Sequence, residues 1–220
     1  MPTPRRTRST PDPKPTLVVL VRHGQTDTTG KVLPGRAKGL HLATKGIEQA
    51  DRAASRLALL PGVAAVYASP LERTRETAAP IARALGLRVQ TTRGLLECDF
   101  GEWTGKKLSQ LMKKPEWRTV QTAPSTFRFP GGESFDEMQS RIWGELGRLV
   151  GQHPGETIVC VSHADPIKAA VAQAMGIHLD LFQRIVISPC SITPILMGRG
   201  TPVVLAVNST GDDLTGLAPS

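Results

Sequence analysis

Short β-branched runs alternate with stretches of helical period along most of this chain. Residues 17–21 form a continuous apolar run, the pattern of a strand covered on both faces. From 44 to about 60, Ile47, Ala50, Ala54, Leu57 and Leu60 recur at helical spacing, and Pro61-Gly62 stops the helix. Residues 63–68 predict a second strand. Ser69 then reads as an N-cap with Pro70 at the first helical position, opening a helix to about 85 that Gly86 ends. A third strand is predicted at 87–91. Residues 113–132, with Pro115, Pro124, Pro130 and Gly131-Gly132, read as a long excursion holding one helical turn. Ser134 and Glu137 spell a capping box for a helix to about 152. A strand at 157–161, a helix at 166–175 and strand candidates at 184–188, 191–197 and 202–207 complete the pattern, without an internal repeat.

Alternating strands and helices predict a doubly wound, three-layer α/β/α sandwich with a mostly parallel central sheet. In such sheets ligands sit at the carboxyl ends of the strands, near a topological switch point. The Pro-, Thr- and Arg-rich residues 1–15 cannot bury a core and predict a disordered basic tail. One domain is expected over 16–208, with a flexible C-terminal tail over 209–220.

Composition narrows the class. The 220 residues are 40% apolar and 21% charged, with 21 glycines and 18 prolines, a globular balance. The three cysteines, Cys98, Cys160 and Cys190, are odd in number, lack CxxC spacing and lie in or beside apolar runs. They read as reduced, buried thiols, which excludes a zinc site and a secreted disulfide scaffold. No apolar stretch approaches the roughly 20 residues that span a bilayer, and the run at 17–21 is too short for a secretory signal. A cytoplasmic protein without membrane or nucleic-acid partners is the expectation. The net charge is +8, of which Arg5, Arg6, Arg8 and Lys14 against Asp12 place +3 in the first 16 residues. That balance calls for an anionic partner, but only 4% of residues are aromatic and none interleave with basic runs, against nucleic acid. A phosphorylated small molecule fits better.

The strand ends carry the chemistry. The first strand runs into Arg22-His23-Gly24-Gln25-Thr26, the second into a segment containing Arg73 and Arg75, and the strand at 157–161 into Ser162-His163-Ala164-Asp165. Planar guanidinium forks match the oxygens of a phosphoryl group in flight. One neutral imidazole can attack phosphorus while a second, protonated one donates to an equatorial oxygen. Gly24 lets the backbone approach closely. An isolated Arg-His-Gly is weak evidence; three such ends in one α/β pattern are not.

With "VRHGQT" at 21–26, "SPLERTRETA" at 69–78, "LLECDFGEWTG" at 95–105, "FPGGES" at 129–134 and "VSHADPIK" at 161–168, the sequence resembles the histidine phosphatase superfamily, which includes the cofactor-dependent phosphoglycerate mutases. The resemblance covers roughly 16–207, and "EWRTVQ" with "FPGGES" is most similar to phosphatase-like actinobacterial members. It implies His23 as the nucleophile that becomes phosphohistidine, Arg22, Arg73 and His163 as phosphate holders, and Glu97 as the acid. The implied substrate set is Arg22, Gln25, Thr26, Arg73, His163 and Ala164, with no cofactor and no metal. The chain departs from the family in carrying Thr29 where Asn is common, and Ala164-Asp165 where Gly is commoner. It also lacks the Tyr-bearing segment of the mutases after the acidic residue.

Asp165 reads as an N-cap for a helix opening at Pro166, the alternative being a carboxylate in the site. Glu97 competes with Asp99 and Glu102 as the acid; its position after Leu95-Leu96 favours a raised pKa. Cys160, inside a strand, reads as structural. Lys106-Lys107 and Lys113-Lys114 read as solvated faces, Trp103 and Trp117 as packing, and His41, His153 and His178 as surface or packing residues. The implied activity is a metal-independent phosphomonoesterase acting on a small phosphorylated metabolite. Alternatives are mutase-type transfer and a non-catalytic phospho-ligand binder. Specificity is expected on the loops 27–43 and 113–132, and the oligomeric state is open, a homodimer included.

Overall fold

The computed structural model describes residues 14–211. The N-terminal tail, but for Lys14 and Pro15, and the end of the C-terminal tail therefore lie outside the described residues. The elements run in the order β1 (Thr16–Arg22), α1 (Thr44–Leu57), β2 (Val63–Ala68), α2 (Glu72–Ala84), β3 (Val89–Thr91), α3 (Leu108–Leu111), α4 (Pro115–Thr122), α5 (Phe135–Gln152), β4 (Thr157–Ser162), α6 (Ala164–Ala174), β5 (Ile192–Met197) and β6 (Val203–Val204). The six strands form one sheet in the order β3-β2-β4-β1-β5-β6. β3, β2, β4 and β1 pair in parallel, and β5 joins β1 antiparallel.

The apolar run of β1 serves both faces, as its continuity predicted. Val18 and Leu20 join the larger core with Ile142 and Leu146 of α5 and Ile167 and Val171 of α6. Val19 and Val21 join the other with Ala54 and Leu57 of α1 and Ala78 and Ile81 of α2. This is the expected three-layer sandwich, a consequence of side chains alternating across a strand. Register then sets the site: Arg22 lies opposite Ser162, and Ala68 opposite Val161, so β1, β4 and β2 end level with one another. Pairing continues one residue further, with His23 N–H donating to Ser162 O (2.9 Å) and Ser69 N–H to Val161 O (3.0 Å).

The Ser134 capping box forms as expected, with both of its reciprocal bonds present. All three cysteines are buried free thiols. Other expectations need correction. Ser69 does not cap α2, whose N-cap is Leu71. Asp165 does not cap α6: the cap is His163, and Asp165 sits in the first turn. The excursion at 113–132 holds the eight-residue α4 and a further 3₁₀ turn, Pro124–Thr126. Residues 184–188 are not a strand, because their polar groups pair elsewhere. Ile187 O accepts from Arg22 Nη1 at 2.7 Å, and Ser188 N–H donates to Asn208 Oδ1. The candidate at 202–207 shrinks to β6. Ser209, expected to open the flexible tail, exchanges both backbone bonds with Ile192, and its carbonyl and hydroxyl accept from Arg56. Among the described residues no helix is long and apolar enough to cross a membrane.

Candidate active site

β1 delivers His23 to the wall of a cavity of about 380 Å³ shared with Arg22, Thr26, Glu97, Ala164 and Asp165. His23 Nδ1 lies 2.7 Å from its neighbour's carbonyl, Gly24 O. A carbonyl only accepts, so Nδ1 carries the proton and Nε2 keeps its lone pair. Burial, then Arg73 and Arg22, hold the ring well below the ordinary histidine pKa, so it is neutral. The turn that places it needs two glycines. A Cβ at Gly24 would meet Gly46 O at 2.5 Å, and one at Gly46 would meet Gln25 O at 2.0 Å.

β4 delivers His163, fully buried, with its ring centre 5.2 Å from that of His23. His163 Nδ1 lies 3.2 Å from Arg73 Nη2. Guanidinium only donates, so Nδ1 accepts and Nε2–H donates to Ser69 Oγ at 2.9 Å. Burial first, then Arg73, His23 and Arg22, push this histidine well down too. With Nδ1 accepting and Nε2–H donating, His163 is the neutral tautomer with one N–H.

α2 carries Arg73, fully buried, with Nη2 also donating to Gly35 O at 2.8 Å. Its Nε and Nη1, and the Nε of Arg22, are buried without a hydrogen-bond acceptor. Unsatisfied donors on buried cations are costly, and an anion removes the cost. His163 and Arg73 do not line the cavity surface; they back His23 from within.

Of the three carboxylates in competition, only Glu97 lines this cavity. It is 6% exposed and accepts from Cys98 N–H at 2.9 Å. Burial pushes its pKa up to about 7, with the charge of Asp165 adding to the rise and Arg73 and Arg22 opposing it. Asp99 is instead paired with Arg36 at 3.3 Å and accepts from Gly101 N–H, while Glu102 is exposed on a 3₁₀ turn. The Glu97 carbonyl is held by Arg36 Nε (2.9 Å) and Arg141 Nη2 (3.3 Å), two contacts that no local pattern announced.

The remaining candidates divide. Thr26 is buried and lines the cavity, and its N–H donates to Thr29 Oγ1 at 2.9 Å, so Thr29 still serves as an acceptor in the loop. Ala164 lines the cavity. Gln25 does not: its N–H donates to Gln49 Oε1 and its carbonyl accepts from Ala43 N–H, seaming the loop to α1. Ser69, read from sequence as a cap, is a site residue. Lys168 and Gln183 also line the cavity. Lys168 follows Asp165 by three residues, a spacing that signals an ion pair; nothing local signals Gln183.

Residues 18–210 match the pattern described as histidine phosphatase superfamily (branch 1). The chain belongs to that superfamily. A bifunctional protein of Mycobacterium tuberculosis is 34% identical over 205 residues, covering 90% of this chain but only 55% of its own length. The chain thus spans about half of that superfamily relative. Phosphoserine phosphatase 1 of Hydrogenobacter thermophilus is 32% identical over 198 residues, covering 88% of this chain and 92% of its own. Among solved superfamily structures, YhfR of Bacillus stearothermophilus superposes with a TM-score of 0.82 at 26% identity, covering 88% of this chain and 97% of its own.

Proposed function

We propose that this protein is a phosphomonoesterase that hydrolyses a small phosphorylated metabolite through a phosphohistidine. The reading rests on one juxtaposition: a lone pair on His23 Nε2 and a carboxyl that is half protonated near neutral pH on the wall of one cavity, with unmatched guanidinium N–H groups of Arg22 on the same wall and of Arg73 buried behind it. In the first step His23 Nε2 attacks phosphorus and the ester P–O bond breaks. The departing oxygen takes the Glu97 proton. Arg22 and Arg73 stabilise the charge on the equatorial oxygens, and His163 joins them by turning its Nε2–H from Ser69 Oγ to the phosphoryl group. Nδ1–H stays on Gly24 O and supports the positive charge that the ring acquires. In the second step Glu97, now a carboxylate, takes a proton from water as the water oxygen attacks phosphorus. The P–N electron pair returns to Nε2 and inorganic phosphate leaves. The phosphatase relatives support this reading, as does the absence from the sequence of the mutases' Tyr-bearing segment.

The test is phosphate release from a panel of phosphorylated metabolites in EDTA, with labelled substrate quenched without acid. An acid-labile, base-stable phosphoprotein is expected, and His23→Ala should abolish both label and turnover. Turnover within tenfold of wild type in His23→Ala would overturn the nucleophile. Loss in EDTA restored by Mg²⁺ or Zn²⁺ would overturn the metal-free scheme. Interconversion of 3- and 2-phosphoglycerate with little phosphate release would replace it with mutase chemistry.

A further inference from the structure

Beyond the phosphate-holding residues, the cavity wall is mostly apolar, with Val32, Leu33, Leu108 and Ile185 among its members. A charged cluster interrupts it. Lys168 Nζ, on α6, lies 3.3 Å from Asp165 Oδ1 and 3.1 Å from Oε1 of Gln183, near the end of the 3₁₀ helix Leu179–Arg184. All three side chains line the cavity. An ammonium only donates, so Gln183 must turn its oxygen to Lys168, which leaves its NH₂ group for another acceptor. Two of the three ammonium N–H bonds are taken and one is left. A spare ammonium N–H beside an amide NH₂ suits the two oxygens of a carboxylate. Because Asp165 already shares the ammonium, the subsite suits a singly charged group better than a second phosphate dianion. Lys168 and Asp165 are each only 17% exposed, which strengthens a charged hydrogen bond there relative to one in open solvent.

We propose that Lys168 and Gln183 are specificity residues that bind a carboxylate on the leaving alcohol, making phosphorylated hydroxy acids the preferred substrates. The proposal rests on the phosphatase reading and deepens it.

The two natural probes are 3-phosphoglycerate and glycerol 3-phosphate, which differ by a carboxylate in place of a hydroxymethyl group. Wild type should favour 3-phosphoglycerate in kcat/KM for phosphate release by roughly ten- to hundredfold, the range of a hydrogen bond to a charged group. Lys168→Met should erase most of that preference, Gln183→Glu should reverse it by repulsion, and Lys168→Arg should keep it. A preference absent from wild type, or unchanged in both Lys168→Met and Gln183→Glu, would overturn the subsite while leaving a His23-dependent phosphatase intact. Calorimetric binding of 3-phosphoglycerate to His23→Ala separates the two failures. Binding weakened about tenfold or more by adding Lys168→Met supports the subsite even where no ester is hydrolysed. Binding indifferent to Lys168 overturns it.

Discussion

Replacing Glu97 by glutamine removes a titration that burial has moved from 4.5 to about 7. Glutamine keeps the shape and can still accept from Cys98 N–H, but it cannot ionise. The sign follows from linkage: the folded state holds the Glu97 proton more tightly than the unfolded chain does. Its contribution to stability is therefore complete below pH 4.5 and is lost as pH rises through about 7. A displacement of that size makes Glu97 cost wild type about 2–3 kcal/mol of stability on going from pH 5 to pH 8. Urea denaturation of both proteins at several pH values isolates the titration of Glu97 and of the groups coupled to it, Asp165 above all, because the remaining titrations cancel in the difference. Glu97→Gln should gain on wild type across that interval by about that amount. A difference that stays flat refutes a buried, upward-shifted Glu97. Turnover supplies the second half of the test. An alkoxide needs the acid's proton and p-nitrophenolate does not, so Glu97→Gln should lose about 10²–10⁴-fold in kcat/KM on an alkyl phosphate and distinctly less on p-nitrophenyl phosphate. In wild type the alkyl phosphate profile should fall on the alkaline side near pH 7, a limb the variant should lack. Equal losses on the two esters would reduce Glu97 to a positioning residue.

The unmatched donors of Arg73 predict that orthovanadate, a phosphate mimic, stabilises wild type by about 2.7 kcal/mol at a hundred times its Kd. In Arg73→Met the thermal shift at the same vanadate concentration should fall by at least half; an unchanged shift would mean that Arg73 does not hold the anion. Gly46→Ala forces a methyl group to within 2.0 Å of Gln25 O, so it should cost about 1–3 kcal/mol in urea denaturation and slow turnover by displacing the His23 turn. Wild-type stability and activity in that variant would show that the turn tolerates the shift.

Much of this protein was determined by its sequence alone, because the signals are local. An apolar run, a helical period and a capping box each act within a few residues, and they yield the strand-helix alternation and hence the layered sheet. Arg22 and His23 are legible because they follow a strand directly, and His163 for the same reason. What the tertiary structure decided depends on contacts between distant segments. Glu97, Asp99 and Glu102 stand within six positions of each other. The protein interior desolvates the first, Arg36 neutralises the second and solvent takes the third. Ser69 has a good capping residue's sequence position, but His163, 94 positions away, takes its hydroxyl. Segment 184–188 has strand composition, yet Arg22 and Asn208 claim its polar groups before a ladder can form. Lys168 shows an ion-pair spacing to Asp165 in the sequence, but only folding brings Gln183 to it and turns both toward the cavity that holds His23. Propensity and periodicity act along the chain; the ionisation of a carboxyl and the partner of a hydroxyl are set by whatever the fold packs beside them.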